Sequence, residues 1–202
     1  MSKAVLISIR QKWCEKIISG EKTIEVRKTR PKMNPPFKCY IYCTMDHPYI
    51  SVSCGGLDKL NYRTNTVGRC NGKVIGEFVC DDIFERIVRV GGSCEPPKYC
   101  ICDWNMGCTP LDTLLADACL TKDELEKYLD GGVGYGWHIS NLKIYDTPKE
   151  LIEFHTWKKC KSCNKSGYES TACIYDENCI IPAAITKAPQ SWCYVEEETW
   201  ND

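Results

Sequence analysis

The sequence has no hydrophobic run of about 18 residues, the length a helix needs to cross a bilayer, so no segment reads as a membrane-spanning helix. It also lacks a recognisable leader. Met1-Ser2-Lys3-Ala4-Val5-Leu6 carries one Lys and turns polar again at Ser8 and Arg10, too soon for a secretory signal. A cytoplasmic protein is therefore the expectation. Internal repeats and low-complexity tracts are missing. Net charge is nearly missing too, at −1, and by itself says nothing about nucleic acid. What remains is an ordinary soluble composition, 43% hydrophobic and 26% charged over 202 residues. That length suits one domain with insertions, or one domain with a small appendage.

Two things are abundant. The first is local positive charge: ten Lys/Arg against three Glu between Lys3 and Lys38, a net of +7, in a stretch that also carries Trp13. Such a stretch suits a phosphate-bearing ligand, and it equally suits a solvated charged surface. The second is cysteine, with 16 residues. Disulfides need an oxidising compartment, buried free thiols behave as small apolar residues, and metal sites need closely spaced thiolates. The positions fit a mixture of the last two. Cys160-Lys161-Ser162-Cys163 is a C-x₂-C knuckle, and with Cys173 and Cys179 it suits a tetrahedral structural zinc, His155 being a replacement ligand. Cys94, Cys100, Cys102 and Cys108 form a second candidate group, with Cys70 and Cys119 in reserve. Cys39, Cys43, Cys80 and Cys193 fall on strand-like segments and read as core. An insertion too small to bury its own core can be held by metal.

Along the chain, Lys3 to Ile9 reads as a strand and Gln11 to Ser19 as a helix. In that helix Trp13/Ile17 and Cys14/Ile18 stand at i, i+4, and Gly20 fits the C′ position. Thr23 to Lys28 and Lys38 to Thr44 read as strands, separated by a loop with Pro31, Pro35 and Pro36. Gly72 to Val90 is a long β signal with Gly76 marking a bulge. A short helix opens near Asp112. Thr121 and Glu124 form a capping box for another, ending near Gly131-Gly132. Tyr135 to Tyr145 and Pro189 to Val195 are strand regions, and Thr147-Pro148-Lys149-Glu150 reads as the start of a helix reaching about Phe154. Stretches at about 45–71, 91–119 and 157–180 read as insertions. The whole predicts an α+β chain, a small and partly open β-barrel with short flanking helices and Cys-rich insertions.

One segment carries the chemistry. Within Gly20-Glu21-Lys22-Thr23-Ile24-Glu25-Val26-Arg27, residues Thr23, Glu25 and Arg27 alternate with Ile24 and Val26. Alternate strand residues face opposite ways. One face therefore offers aliphatics to a core, and the other a hydroxyl, a carboxylate and a guanidinium, with Lys22 at the entry. That row reads as a surface ion pair or as the polar floor of a ligand site.

This pattern resembles the ASCH family, in the PUA-like group of β-barrels. The resemblance continues through Ile7-Ser8-Ile9-Arg10, Trp13 and Ile17 before it, and through Tyr40-Ile41-Tyr42-Cys43, Gly72-Lys73-Val74-Ile75-Gly76-Glu77-Phe78, Tyr135-Gly136-Trp137-His138-Ile139 and Pro189-Gln190-Ser191-Trp192 after it. It implies a barrel with a cleft whose floor holds Lys22, Glu25 and Arg27. It also implies RNA or nucleotide binding, as in related PUA-like domains. One activity among small ASCH members is hydrolysis of the amide of N4-acetylcytidine by a Lys, a Thr three residues later and a distant Glu. Lys22 matches that Lys, and Glu25 stands where the Thr would be. Other members are linked to RNA cleavage.

Three functions follow as expectations. The first is an RNA- or nucleotide-binding module with a basic cleft, in which Ser8, Lys22, Thr23, Glu25, Arg27, Trp137, Ser191 and Trp192 contact the ligand. Trp137 and Trp192 would stack on a base, although indoles also pack in cores. The second is a hydrolase of a modified nucleoside or of RNA, with Lys22 and Glu25 as catalytic groups. The third is an interaction role for the cysteine insertions.

Overall fold

The computed structural model describes residues 2–45, 70–90, 98–103, 107–109, 111–159 and 180–197. In chain order the elements are β1 (Lys3–Ile9), α1 (Gln11–Ile18), β2 (Ile24–Arg27), β3 (Phe37–Cys43), β4 (Val74–Cys80), β5 (Ile83–Val90), β6 (Lys98–Asp103), β7 (Gly107–Thr109), α2 (Asp112–Asp117), α3 (Lys122–Leu129), β8 (Gly134–His138), β9 (Ser140–Lys149), a 3₁₀ turn (Leu151–Glu153), β10 (His155–Lys159), β11 (Ile180–Ala184) and β12 (Trp192–Glu196). Strands dominate, so the chain is α+β.

The strands pair as two five-stranded sheets, β12-β1-β3-β4-β9 and β2-β8-β5-β6-β7, with β10 and β11 forming a separate ribbon. Among the described residues neither sheet closes on itself, so the architecture is two packed sheets rather than a closed barrel. β1 runs parallel to β3 and antiparallel to β12. It is buried on both faces, and its nearly unbroken apolar run follows from that. Val5, Ile7 and Ile9 join a core with Cys14, Ile17, Cys39, Ile41 and Trp137. Ala4 and Leu6 face a second core around Tyr40, Val74, Tyr145 and Phe154. Ile24 and Val26 enter a third core, formed with Ile87, Leu114, Leu125 and Leu129 from β5, α2 and α3.

Several expectations change in detail. Part of the 91–119 stretch is regular: β6 and β7 extend the second sheet, and α2 follows. At the borders of the 157–180 stretch, β10 and β11 pair antiparallel. Thr147, Pro148 and Lys149 start no helix. They continue β9, an edge strand, where a proline costs no internal ladder bond. Glu150 caps the 3₁₀ turn instead, its amide donating to Glu153 Oε1 at 2.6 Å. The long β signal from Gly72 divides at Asp81-Asp82 into β4 and β5. Gly76 does mark an irregularity, with the β4–β9 register slipping between Val74 and Gly76. A Cβ there would lie 2.4 Å from the Lys143 carbonyl oxygen, so only glycine lets the two backbones meet.

Candidate functional site

The site begins where α1 stops. Gly20 takes φ +78°, a left-handed turn that side chains disfavour, and reverses the chain. The Lys22 amide then donates to the Lys16 carbonyl at 2.9 Å, and the Thr23 amide to the Asp117 carbonyl at 2.8 Å. The Ile139 amide donates back to the Thr23 carbonyl at 2.8 Å. So fixed, β2 pairs with β8 as the edge of the second sheet.

Its polar face is not exposed. Lys22, Glu25 and Arg27 retain 3%, 6% and 7% of their accessible surface. Buried charge is tolerable only when paired, and Glu25 supplies the pairing. Its Oε2 lies 3.2 Å from Lys22 Nζ, and its Oε1 lies 2.9 Å from an Arg27 terminal nitrogen. Lys22 also donates to the Ala118 carbonyl at 2.7 Å. Arg27 donates to the Ser8 carbonyl at 2.6 Å and to Ser191 Oγ at 3.4 Å. The Ser8 hydroxyl donates to the Pro189 carbonyl at 2.7 Å, tying β1 to the final loop. Arg27 Nε is buried with no partner among the described residues.

Above this ionic floor opens a cleft of about 880 Å³. Ser8, Lys22, Glu25, Val26, Arg27 and Ser191 line its base. Arg10 and Trp13 stand on the α1 side, and Tyr42, Thr44 and Met45 at the end of β3. Leu120, Glu124, Lys127 and Tyr128 line the α3 side, and Ala188, Pro189 and Gln190 the last loop. Four cationic side chains (Arg10, Lys22, Arg27, Lys127) thus face two carboxylates (Glu25, Glu124). Lys22 Nζ lies 5.0 Å and Lys12 Nζ 4.3 Å from the Trp13 ring centre. Partial burial pushes the Tyr42 and Tyr128 hydroxyls up, so both stay protonated donors at neutral pH. Lys12 bonds Glu124 Oε1 at 2.8 Å and joins α1 to α3 beside the cleft.

The cleft therefore gathers Ser8, Lys22, Glu25, Arg27 and Ser191, and leaves out three residues expected from the sequence. The side chain of Thr23 does not line it. Trp137 is fully buried, its ring 5.9 Å from Phe37 and 6.0 Å from Trp192, because β8 is an interior strand. Trp192 packs 5.4 Å from Tyr194 and donates its indole N–H to Thr29 Oγ1 at 3.0 Å. The aromatics that face the cleft are Trp13, Tyr42 and Tyr128. A signal for the α3 wall was present: Leu120, Glu124, Lys127 and Tyr128 recur at helical spacing, mixing charge with an aromatic. His138 stands elsewhere, its Nδ1 2.7 Å from Asp81 Oδ1, a contact that holds the Asp81 carboxyl below its usual range.

The cysteine groups are placed only in part. Cys160, Cys163, Cys173, Cys179 and Cys94 lie outside the described residues. Cys102 and Cys108 are register partners across β6 and β7, and Cys100 is a half-buried cysteine on β6 that is in no disulfide. Cys70 is disulfide-bonded and so is no thiolate ligand. Among the described residues, no three His, Cys, Asp or Glu side chains group as a metal site. None of their helices is long and apolar enough to cross a membrane.

Mostly stranded, with two packed sheets and a charged cleft floored by an edge strand, the molecule is of the α+β class. Residues 7–79 match the family model described as the ASCH domain. A solved ASCH structure from Zymomonas mobilis aligns over 96% of this chain and 88% of its own, at 14% identity and a TM-score of 0.49. A Tyr-to-Phe variant of that protein aligns over 97% and 92%, at 14% identity and a TM-score of 0.50, which is a likeness of fold. No curated protein matches the sequence.

Proposed function

We propose that this chain binds single-stranded RNA or a nucleotide in the cleft above β2. The observation that carries the reading is the buried Lys22–Glu25–Arg27 floor beneath an open cleft rimmed by Arg10 and Lys127. A domain needing only stability gains little from three buried charges. A ligand site gains a fixed polar floor. Trp13, Tyr42 and Tyr128 offer ring faces for a base, and the exposed rim cations offer charge to phosphate. Lys22, already held by Glu25 and Ala118, orients the floor, and the phosphate role moves outward to Arg10 and Lys127.

The test is fluorescence anisotropy with labelled single-stranded RNA oligomers across a salt series. Binding should weaken as salt rises, and the slope of log K against log salt should shrink by about one per charge removed in Lys127→Ala and Arg10→Ala. Failure to bind any oligomer or mononucleotide at low salt overturns the reading.

A hydrolytic reading of the same floor is supported by the 3.2 Å contact of Lys22 with Glu25 at the cleft base. Its nucleophile would be water or a serine of the base, since Thr23 stays outside. Acetate release from N4-acetylcytidine, or RNA cleavage, lost in Glu25→Gln, is the outcome that favours it. A cytoplasmic location and a structural zinc on the knuckle cysteines complete the proposal. Metal analysis of the reduced protein giving less than one zinc per chain would remove the zinc.

A further inference from the structure

The floor has a hydrogen-bonding polarity as well as a charge, and this inference rests on the nucleotide-binding reading above. An ammonium, a carboxylate and a guanidinium follow one another through direct contacts at 3.2 Å and 2.9 Å. Lys22 has three protons, and Glu25 and the Ala118 carbonyl take two. Glu25 accepts one bond on each oxygen, so lone pairs remain on both. The Arg27 nitrogen that bonds Glu25 also serves the Ser8 carbonyl and is spent. Its other terminal nitrogen gives one proton to Ser191 and keeps one. Ser191 Oγ accepts that bond, and its own proton remains to donate. Read across the cleft base, the unspent groups run donor, acceptor, donor.

We infer that the cleft selects the imide edge of an oxo-pyrimidine, the uracil ring. That edge presents carbonyl, N–H, carbonyl: acceptor, donor, acceptor, the complement of the floor at all three places. Cytosine presents an amino group and a bare ring nitrogen in place of the first two, so it sets donor against donor and acceptor against acceptor. Guanine matches at its carbonyl and ring N–H and opposes a donor with its amino group. Adenine offers an amino group and an unprotonated nitrogen where the floor needs the reverse. The buried floor makes such mismatches expensive, because a group with 3% to 7% exposure has little water to turn to.

The experiment is calorimetric titration of the full chain with the four ribonucleoside monophosphates, with 3-methyluridine monophosphate, and with inorganic phosphate as competitor. Uridine monophosphate should bind at least about tenfold tighter than cytidine monophosphate. Methylation at N3, which removes the proton aimed at Glu25, should abolish that preference. Equal affinity for the four bases, a preference for cytidine or a purine, tolerance of the N3 methyl group, or displacement of uridine by inorganic phosphate would each overturn the imide assignment. Those outcomes leave nucleotide binding intact. If no nucleotide binds, and oligo(U), oligo(C) and oligo(A) fail as well, the binding reading falls together with the inference.

Discussion

Glu25 is the residue on which two buried cations depend. Replacing it with Ala leaves Lys22 and Arg27 together without their counter-charge, whereas Lys22→Met leaves Glu25 still held by Arg27. Removing one partner of a buried pair costs about 3–5 kcal/mol. Glu25→Ala should reach that range in urea denaturation and exceed Lys22→Met, and an equal or reversed order would sink this account. The alternation of Glu25 and Arg27 with Ile24 and Val26 was legible from spacing alone. Their burial was not, because it depends on α1 and on the loop at Pro189 to Ser191, which reach β2 only in space. The aromatics show the same limit. Trp137 and Trp13 look alike in sequence, and only the position of β8 between β2 and β5 sends one into the core while the other faces the cleft.

Among the elements, α3 carries the most instruction in its own sequence. The capping box read from Thr121 and Glu124 is formed, the Glu124 amide donating to Thr121 Oγ1 at 3.1 Å and the Thr121 amide to Glu124 Oε2 at 3.0 Å. The second Glu124 oxygen takes Lys12, so one carboxylate both starts α3 and fastens it to α1. The bond from Lys12, then that from the Thr121 amide, holds the Glu124 carboxyl below its usual range. A folded pKa below the unfolded one gives stability that is present above the ordinary glutamate pKa, about 4.3, and lost as pH falls through the folded value. Glu124→Gln should therefore flatten the acid side of a melting-temperature profile below about pH 4.3, and Lys12→Met should do so in part. An unchanged profile would show the contact to be idle. Strand pairing gives a second element-level test. Gly76→Ala forces a Cβ to within 2.4 Å of a β9 carbonyl, whereas a Cβ at Gly20 meets nothing within 4 Å. Gly76→Ala should cost about 1–3 kcal/mol through the clash, and Gly20→Ala about 1–2 kcal/mol through its left-handed backbone alone, read from denaturation midpoints. What the sequence hid at this scale was β6 and β7, since their Cys, Asp and Gly residues give little β-branched signal.

For the molecule as a whole, free thiols serve as packing. Cys14, Cys39, Cys43 and Cys80 sit in one core with β1 and Trp137. Burial pushes Cys80 up to about 12 and Cys193 to about 11, with Cys14 and Cys39 also raised. For an acid, a raised folded pKa gives stability that is full below the ordinary thiol pKa, about 8.5, and eroded as pH climbs toward the folded value. Native protein at pH 8 should thus leave Cys14, Cys39 and Cys80, all buried, unlabelled by a thiol-specific disulfide reagent. Urea should release them, and rapid native labelling of Cys39 would contradict the packing. The cysteine count was plain from the start, but which cysteines are core depended on strands already being in place.

Arg27 is gripped from both ends of the chain, by Ser8 and by Ser191, the latter 164 residues away along the sequence. The Ser8 hydroxyl reaches Pro189 across 181 residues. Such distant closures are slow to form and come late. The floor is therefore among the last parts of the fold to be completed. A chain folded everywhere else still lacks the fixed Lys22–Glu25–Arg27 floor until the loop at Pro189 to Ser191 docks, so the cleft gains its shape in the same step that closes the fold.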